Sequence, residues 1–103
     1  MIQIYVTEGG GKCRLFAEGH AANGKDREAV CAGVSALIQA LILYAGERSV
    51  ACRLRYQLAP GLAFFSAHGL DEGFALVKKG LSAIAEAYPT YLQINSFVPV
   101  DDK

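Results

Sequence analysis

The chain carries no excess of charge of either sign, no cysteine pair at CxxC spacing, no basic-then-apolar leader, no linker and no internal repeat, and each absence removes a class of protein. Ten basic residues balance ten acidic ones, so the overall field that nucleic-acid binders exploit is missing and nucleic acid is not an expected partner. Three cysteines, Cys13, Cys31 and Cys52, are too few and too oddly spaced for a disulfide framework or a structural zinc site. They are expected as reduced thiols, Cys13 and Cys52 as small buried hydrophobes. No metal and no cofactor is expected, since His20, His68 and the cysteines have no recognised ligand spacing. The start, Met1-Ile2-Gln3-Ile4, has no secretion signal, and the expected address is cytoplasmic. No apolar run is read as long enough for a membrane span, and Ala32 to Ala45 is expected as buried helix.

What is present is a strongly apolar chain, 52% hydrophobic and 19% charged over 103 residues, enough for one core and a single domain over residues 1–103. Ile2, Ile4 and Val6 alternate with polar neighbours as a strand. After the Gly9-Gly10-Gly11 turn, Cys13, Leu15 and Ala17 alternate as a second strand, completing a hairpin. The glycines join two strands and lack a following Gly-Lys-Ser/Thr, so they do not make a phosphate loop. Residues Gly19 to Lys25 read as a loop. Val30, Val34, Leu37, Ile38, Leu41 and Ile42 then recur at helical spacing up to Gly46, with Asp26 as the expected N-cap and Glu28 in the first turn.

A third strand is expected at Cys52, Leu54, Tyr56 and Leu58, turned by Pro60-Gly61 into a fourth through Leu62-Ala63-Phe64-Phe65. A second helix runs from Asp71 to before Pro89, and a last strand covers Tyr91 to Phe97. The Asp101-Asp102-Lys103 end is expected to fray. The order ββαββαβ predicts an α+β two-layer sandwich, a mixed sheet with both helices on one face. Arg53 and Arg55 can meet Arg14 across that sheet as a small RNA-binding patch, but a solvated strand face explains them more cheaply. Phe64 and Phe65 place aromatics on both faces of one strand, at an interface, a substrate groove or a covered sheet centre. His68 is read as a solvated turn residue.

The chemistry-bearing pair is His20, in Gly19-His20-Ala21, and Cys31, eleven residues later in the first helix. A thiol near a helix N-terminus is favoured as thiolate, and an imidazole folded back against it is the base such a nucleophile needs. Residue types alone leave a second reading open, a turn histidine and an inert cysteine. The run Gly19-His20-Ala21, Gly24-Lys25-Asp26 and Val30-Cys31-Ala32-Gly33-Val34-Ser35-Ala36-Leu37, with Gly80 and Ala87-Tyr88-Pro89 further on, resembles the ribosomal-processing cysteine protease family.

That resemblance implies a homodimeric endopeptidase that removes an N-terminal extension from a large-subunit ribosomal protein, cutting after an apolar, aromatic-rich leader. It implies Cys31 as nucleophile, His20 as general base, Asp26, Glu28 and Ser35 as orienting or supporting residues, and Gly19, Ala21, Ala22, Asn23, Gly24 and Lys25 as the substrate loop. The family pattern carries an aspartate three residues before the cysteine, a slot filled here by Glu28. Two other functions are kept in view, a non-catalytic homodimeric module binding a ribosomal protein or RNA, and a thiol-redox regulator using Cys31.

Overall fold

The computed structural model describes residues 1–21, 23–48 and 52–96. Strands β1 (Ile2–Gly9) and β2 (Lys12–Glu18) form the expected hairpin, with Gly9 opposite Lys12 and Gly10-Gly11 between them. Both loop glycines have positive φ, 60° and 78°, the backbone a two-residue hairpin turn needs to match strand twist. The chain then crosses into α1 (Arg27–Gly46), returns as β3 (Arg55–Ala59) and β4 (Leu62–His68), crosses again through α2 (Asp71–Ala87), and ends in β5 (Leu92–Ser96). The order across the sheet is β3-β4-β2-β1-β5. Only β1 and β5 pair in parallel, which makes the sheet mixed.

Alternation sorts the strand residues into two faces. Ile2, Ile4, Val6, Cys13, Leu15, Ala17, Phe65, Ala67 and Leu92 are buried together with Val30, Val34, Ile38, Leu41 and Ile42 of α1 and Phe74, Val77 and Leu81 of α2. Both helices therefore cover one face, the expected two-layer sandwich. Phe65 is fully buried and stacks on Phe74 with ring centroids 6.3 Å apart, so of the Phe64-Phe65 pair this member is core. Phe64, half-buried, lies on the other face.

The helices approach closely because glycine on each faces a bulky side chain on the other. A methyl group at Gly80 would lie 2.9 Å from Leu37 Cδ1, and one at Gly33 would lie 3.1 Å from Ile84 Cδ1. Interlocking of this kind brings helix axes together and fixes their crossing. It also holds the start of α1, where Cys31 sits, in place over the sheet.

Three expectations need correction. The third strand starts at Arg55 and not at Cys52: Cys52 N–H bonds back to Arg48 O (3.3 Å), and Arg53 takes φ 51°, a left-handed turn that no strand accommodates. α1, at 20 residues with a mean hydropathy of 1.9, is by length and composition able to cross a bilayer, because its apolar residues extend beyond the buried stripe to Ala32, Ala36, Ala40 and Leu43, all exposed. His68 is not a turn residue but the half-buried last residue of β4. The last strand is seen over Leu92–Ser96, while Phe97 and the 101–103 end lie outside the described residues.

Candidate active site

His20 leaves the end of β2, and Cys31 projects from the second turn of α1. Side chains on a helix tilt toward its N-terminus, so the thiol points back along the first turn. Both line one cavity of about 360 Å³ between α1, the end of β2 and the β3–β4 turn. Ile2, Val34, Ile38, Leu58 and Leu62 supply its apolar walls. Cys31 is half-buried and His20 exposed, so the thiol is reachable from the cleft. Among the described residues no hydrogen bond joins the two. Catalytic contacts of this kind are commonly loose before substrate enters.

The imidazole is placed by the β3–β4 turn. Gly19 N–H donates to Gly61 O at 2.9 Å, which clamps the end of β2 to the turn and lays the His20 ring over Gly61. A methyl group at Gly61 would stand 2.6 Å from His20 Nε2, and the residue has φ 71°, so both the ring's position and the turn require glycine. In the sequence Pro60-Gly61 signals a turn and nothing more. Some forty residues separate it from His20, and only the β4–β2 pairing brings them together.

Ser35, one turn after Cys31, also lines the cavity, and its Oγ accepts a hydrogen bond from Gln39 Nε2 at 2.7 Å. Gln39, a further turn along and itself in the wall, was not anticipated, although polar or reactive residues at 31, 35 and 39 are the i, i+4, i+8 spacing of one helix face. Of the expected substrate loop, Gly19 lines the cavity, while Ala21, Asn23, Gly24 and Lys25 do not. Ala22 lies outside the described residues. Gly24 is packed against the Tyr91 side chain, which in turn meets Tyr88 edge-on at 6.1 Å.

Asp26 occupies the N-cap position of α1 without a side-chain capping bond, and Glu28 lies in the first turn. Neither lines the cavity or pairs with His20. Phe64 and Phe65 are also absent from the walls, which removes both from the groove-residue reading. The other two cysteines are inert by burial. Cys52 Sγ donates to Ala45 O at 3.3 Å and Cys13 Sγ to Ala67 O at 3.7 Å. Burial, reinforced by the negative charges of Asp71 and Glu8, pushes the Cys13 thiol up to about 11, so it stays protonated and unreactive near neutral pH.

A two-layer α+β protein that offers one accessible thiol and one imidazole to a common apolar cleft has the make-up of a small cysteine peptidase. The family model of cysteine protease Prp matches residues 1–93, and the chain belongs to that family. Solved structures share the fold: an essential ribosomal processing protease Prp from S. aureus, bound to a covalently linked product peptide, is 21% identical with a TM-score of 0.76, covering 94% of this chain and 100% of that one. The same protease with a substrate peptide gives 21% and 0.72 over the same shares. The protein SMU.848 of Streptococcus mutans is 24% identical with a TM-score of 0.72, covering 96% of each chain. A search of curated proteins finds no match.

Proposed function

We propose that this protein is an active cysteine endopeptidase that removes the apolar, aromatic-rich N-terminal extension of a large-subunit ribosomal protein, with Cys31 as nucleophile and His20 as general base. The observation that carries the reading is that these two side chains, from different elements, line one cleft with apolar walls. Family membership supports it, as does the S. aureus protease solved with a substrate peptide and with a covalently linked product peptide.

In this reading His20 takes the thiol proton as Cys31 Sγ attacks the scissile carbonyl carbon, giving a tetrahedral oxyanion. Its collapse breaks the C–N bond, His20 protonates the leaving amine, and a thioester remains on Cys31. His20 then deprotonates water, which attacks the thioester and releases the carboxylic acid and the thiol. Donors for the oxyanion come from the start of α1. Arg27 N–H bonds Gly24 O and Val30 N–H bonds Asp26 O, and the positive end of the helix dipole at this start favours the negative charge that develops there. Ser35 accepts from Gln39, so its own hydroxyl proton is available to a substrate carbonyl. The apolar walls select bulky apolar side chains by burial.

Dimerisation is part of the reading. The exposed stripe Ala32, Ala36, Ala40 and Leu43 on α1, with Leu43 70% exposed, is the kind of apolar surface a second copy covers. The test is incubation of the purified protein with a synthetic leader peptide followed by mass spectrometry. Cleavage after the apolar segment by the native protein, and loss of at least about 1,000-fold in rate in Cys31→Ala and His20→Asn, is expected. Cleavage by Cys31→Ala at the native rate would refute it.

A further inference from the structure

The sheet face away from the helices is basic at one end and aromatic across its middle. The chain has no net charge, yet Lys12, Arg14, Arg53 and Arg55 surround one concavity of about 410 Å³, together with Phe64, Ser66 and His68. Strand register builds this arrangement. Arg14 pairs with Ser66 and Ser66 with Arg55, which puts the two guanidinium-bearing residues on either side of a serine. In the adjoining row Tyr5, Phe16 and Phe64 stand side by side on β1, β2 and β4, and the first two rings lie 6.2 Å apart. Gln57 and Asn95 end that row. On this face the acid among the described strand residues is Glu18, at the opposite end of β2 from Lys12 but beside the aromatic row, where its carboxylate accepts a hydrogen bond from Tyr5 Oη at 3.5 Å. Glu8 is paired with Lys78 of α2 on the helix side.

We infer that this face binds single-stranded RNA, with the phosphate backbone along Lys12, Arg14 and Arg55 and the bases on the Phe64, Phe16 and Tyr5 row. Phosphates need clustered cations, and unpaired bases need flat apolar surfaces at strand spacing; an open sheet carrying both is how single strands are held. Either feature alone is ordinary, and even charge balance hid the first. Gln57, exposed at the end of the row, offers an amide able to meet a 2′-hydroxyl. The choice of RNA over DNA rests on the ribosomal substrate proposed above, whereas the cationic and aromatic surface does not. The face lies on the other side of the sheet from the Cys31 cleft, so an RNA-bound precursor could be held there while its leader is cut.

The test is fluorescence anisotropy of the whole protein with labelled oligouridylate of about twelve nucleotides and the matching oligothymidylate. RNA binding should weaken roughly 20- to 50-fold between about 50 and 200 mM salt, as three to four phosphate contacts dictate. Arg14→Glu with Arg55→Glu should lose at least about tenfold in RNA affinity, and Phe64→Ala about five- to hundredfold; cleavage of a leader peptide should continue unchanged. Arg14→Gln with Arg55→Gln, checked by thermal melting, gives the same loss should the glutamates impair folding. No RNA binding by the native protein, equal binding of the DNA strand, or unchanged affinity in the arginine variants would overturn the inference. So would arginine variants that turn a dimer into a monomer, since the face would then join two copies. Peptide cleavage is read separately, so neither failure stands for the other.

Discussion

Gly61 sets the chemistry of the cleft from outside the reacting pair, while the buried thiol of Cys13 ties the stability of the core to pH. Gly61→Ala should push its new methyl into the His20 ring, 2.6 Å away as the structure stands, and lower kcat/KM by about 100-fold, the scale of a 1 Å misplacement of a catalytic group. Gly10→Ala is the control. It suffers a similar positive φ but has nothing within 4 Å, so both variants should lose about 1–2 kcal/mol of stability while only Gly61→Ala loses activity. Equal activity in the two would contradict the placement of His20 by the turn. Cys13 yields a pH prediction. Its folded pKa of about 11 lies above the ordinary 9.0 because it is buried near Asp71 and Glu8. A raised acid stabilises the fold fully below pH 9 and loses that contribution as pH climbs through 11. Thermal melts should therefore fall over this window by up to about 3 kcal/mol, and Cys13→Ala should flatten the fall. That His20 and Cys31 share one cleft is a placement the sequence suggests, because a glycine-flanked histidine and a helix-start cysteine stand in a recognisable motif. The role of Gly61 was not legible, because it depends on where β4 lies beside β2.

At the scale of elements, period made the hairpin and both helices readable, while packing decided what period could not. Cys52, Leu54, Tyr56 and Leu58 alternate like a strand, yet the left-handed Arg53 breaks the run. Tyr56 and Leu58 remain exposed because β3 is the sheet edge, beyond the cover of the helices. Phe64 and Phe65 were ambiguous for the same reason, since a pair with one member on each face gives no clue to which face is covered. The helix contact, in contrast, is set by glycine. Gly80→Leu must displace Leu37, whose terminal methyls already lie about 3 Å from where a first side-chain carbon would stand, and should cost about 1–3 kcal/mol by overpacking. Urea unfolding monitored by circular dichroism would measure it as a lower midpoint at constant m. An unchanged midpoint would mean that the helices are not locked by this contact.

The whole molecule divides its two surfaces by chemistry: a cleft with apolar walls on the helix side, and a basic and aromatic sheet on the other. The exposed stripe on α1 belongs to a third surface, and Leu43→Glu should convert a dimer to a monomer in sedimentation equilibrium without unfolding it. A dimer that persists would place the contact elsewhere. The balanced composition gave no hint of this division, since net charge and mean hydropathy average over faces that only the fold separates. The central claim is that Cys31 carries the acyl group during peptide cleavage, and acid-quenched mass spectrometry of the protein mixed with a leader peptide tests it most directly. The account predicts a transient thioester adduct of the leader's N-terminal product, mapped to Cys31 and absent from Cys31→Ala. An adduct on Cys13 or Cys52, or cleavage that proceeds in Cys31→Ala, would contradict it.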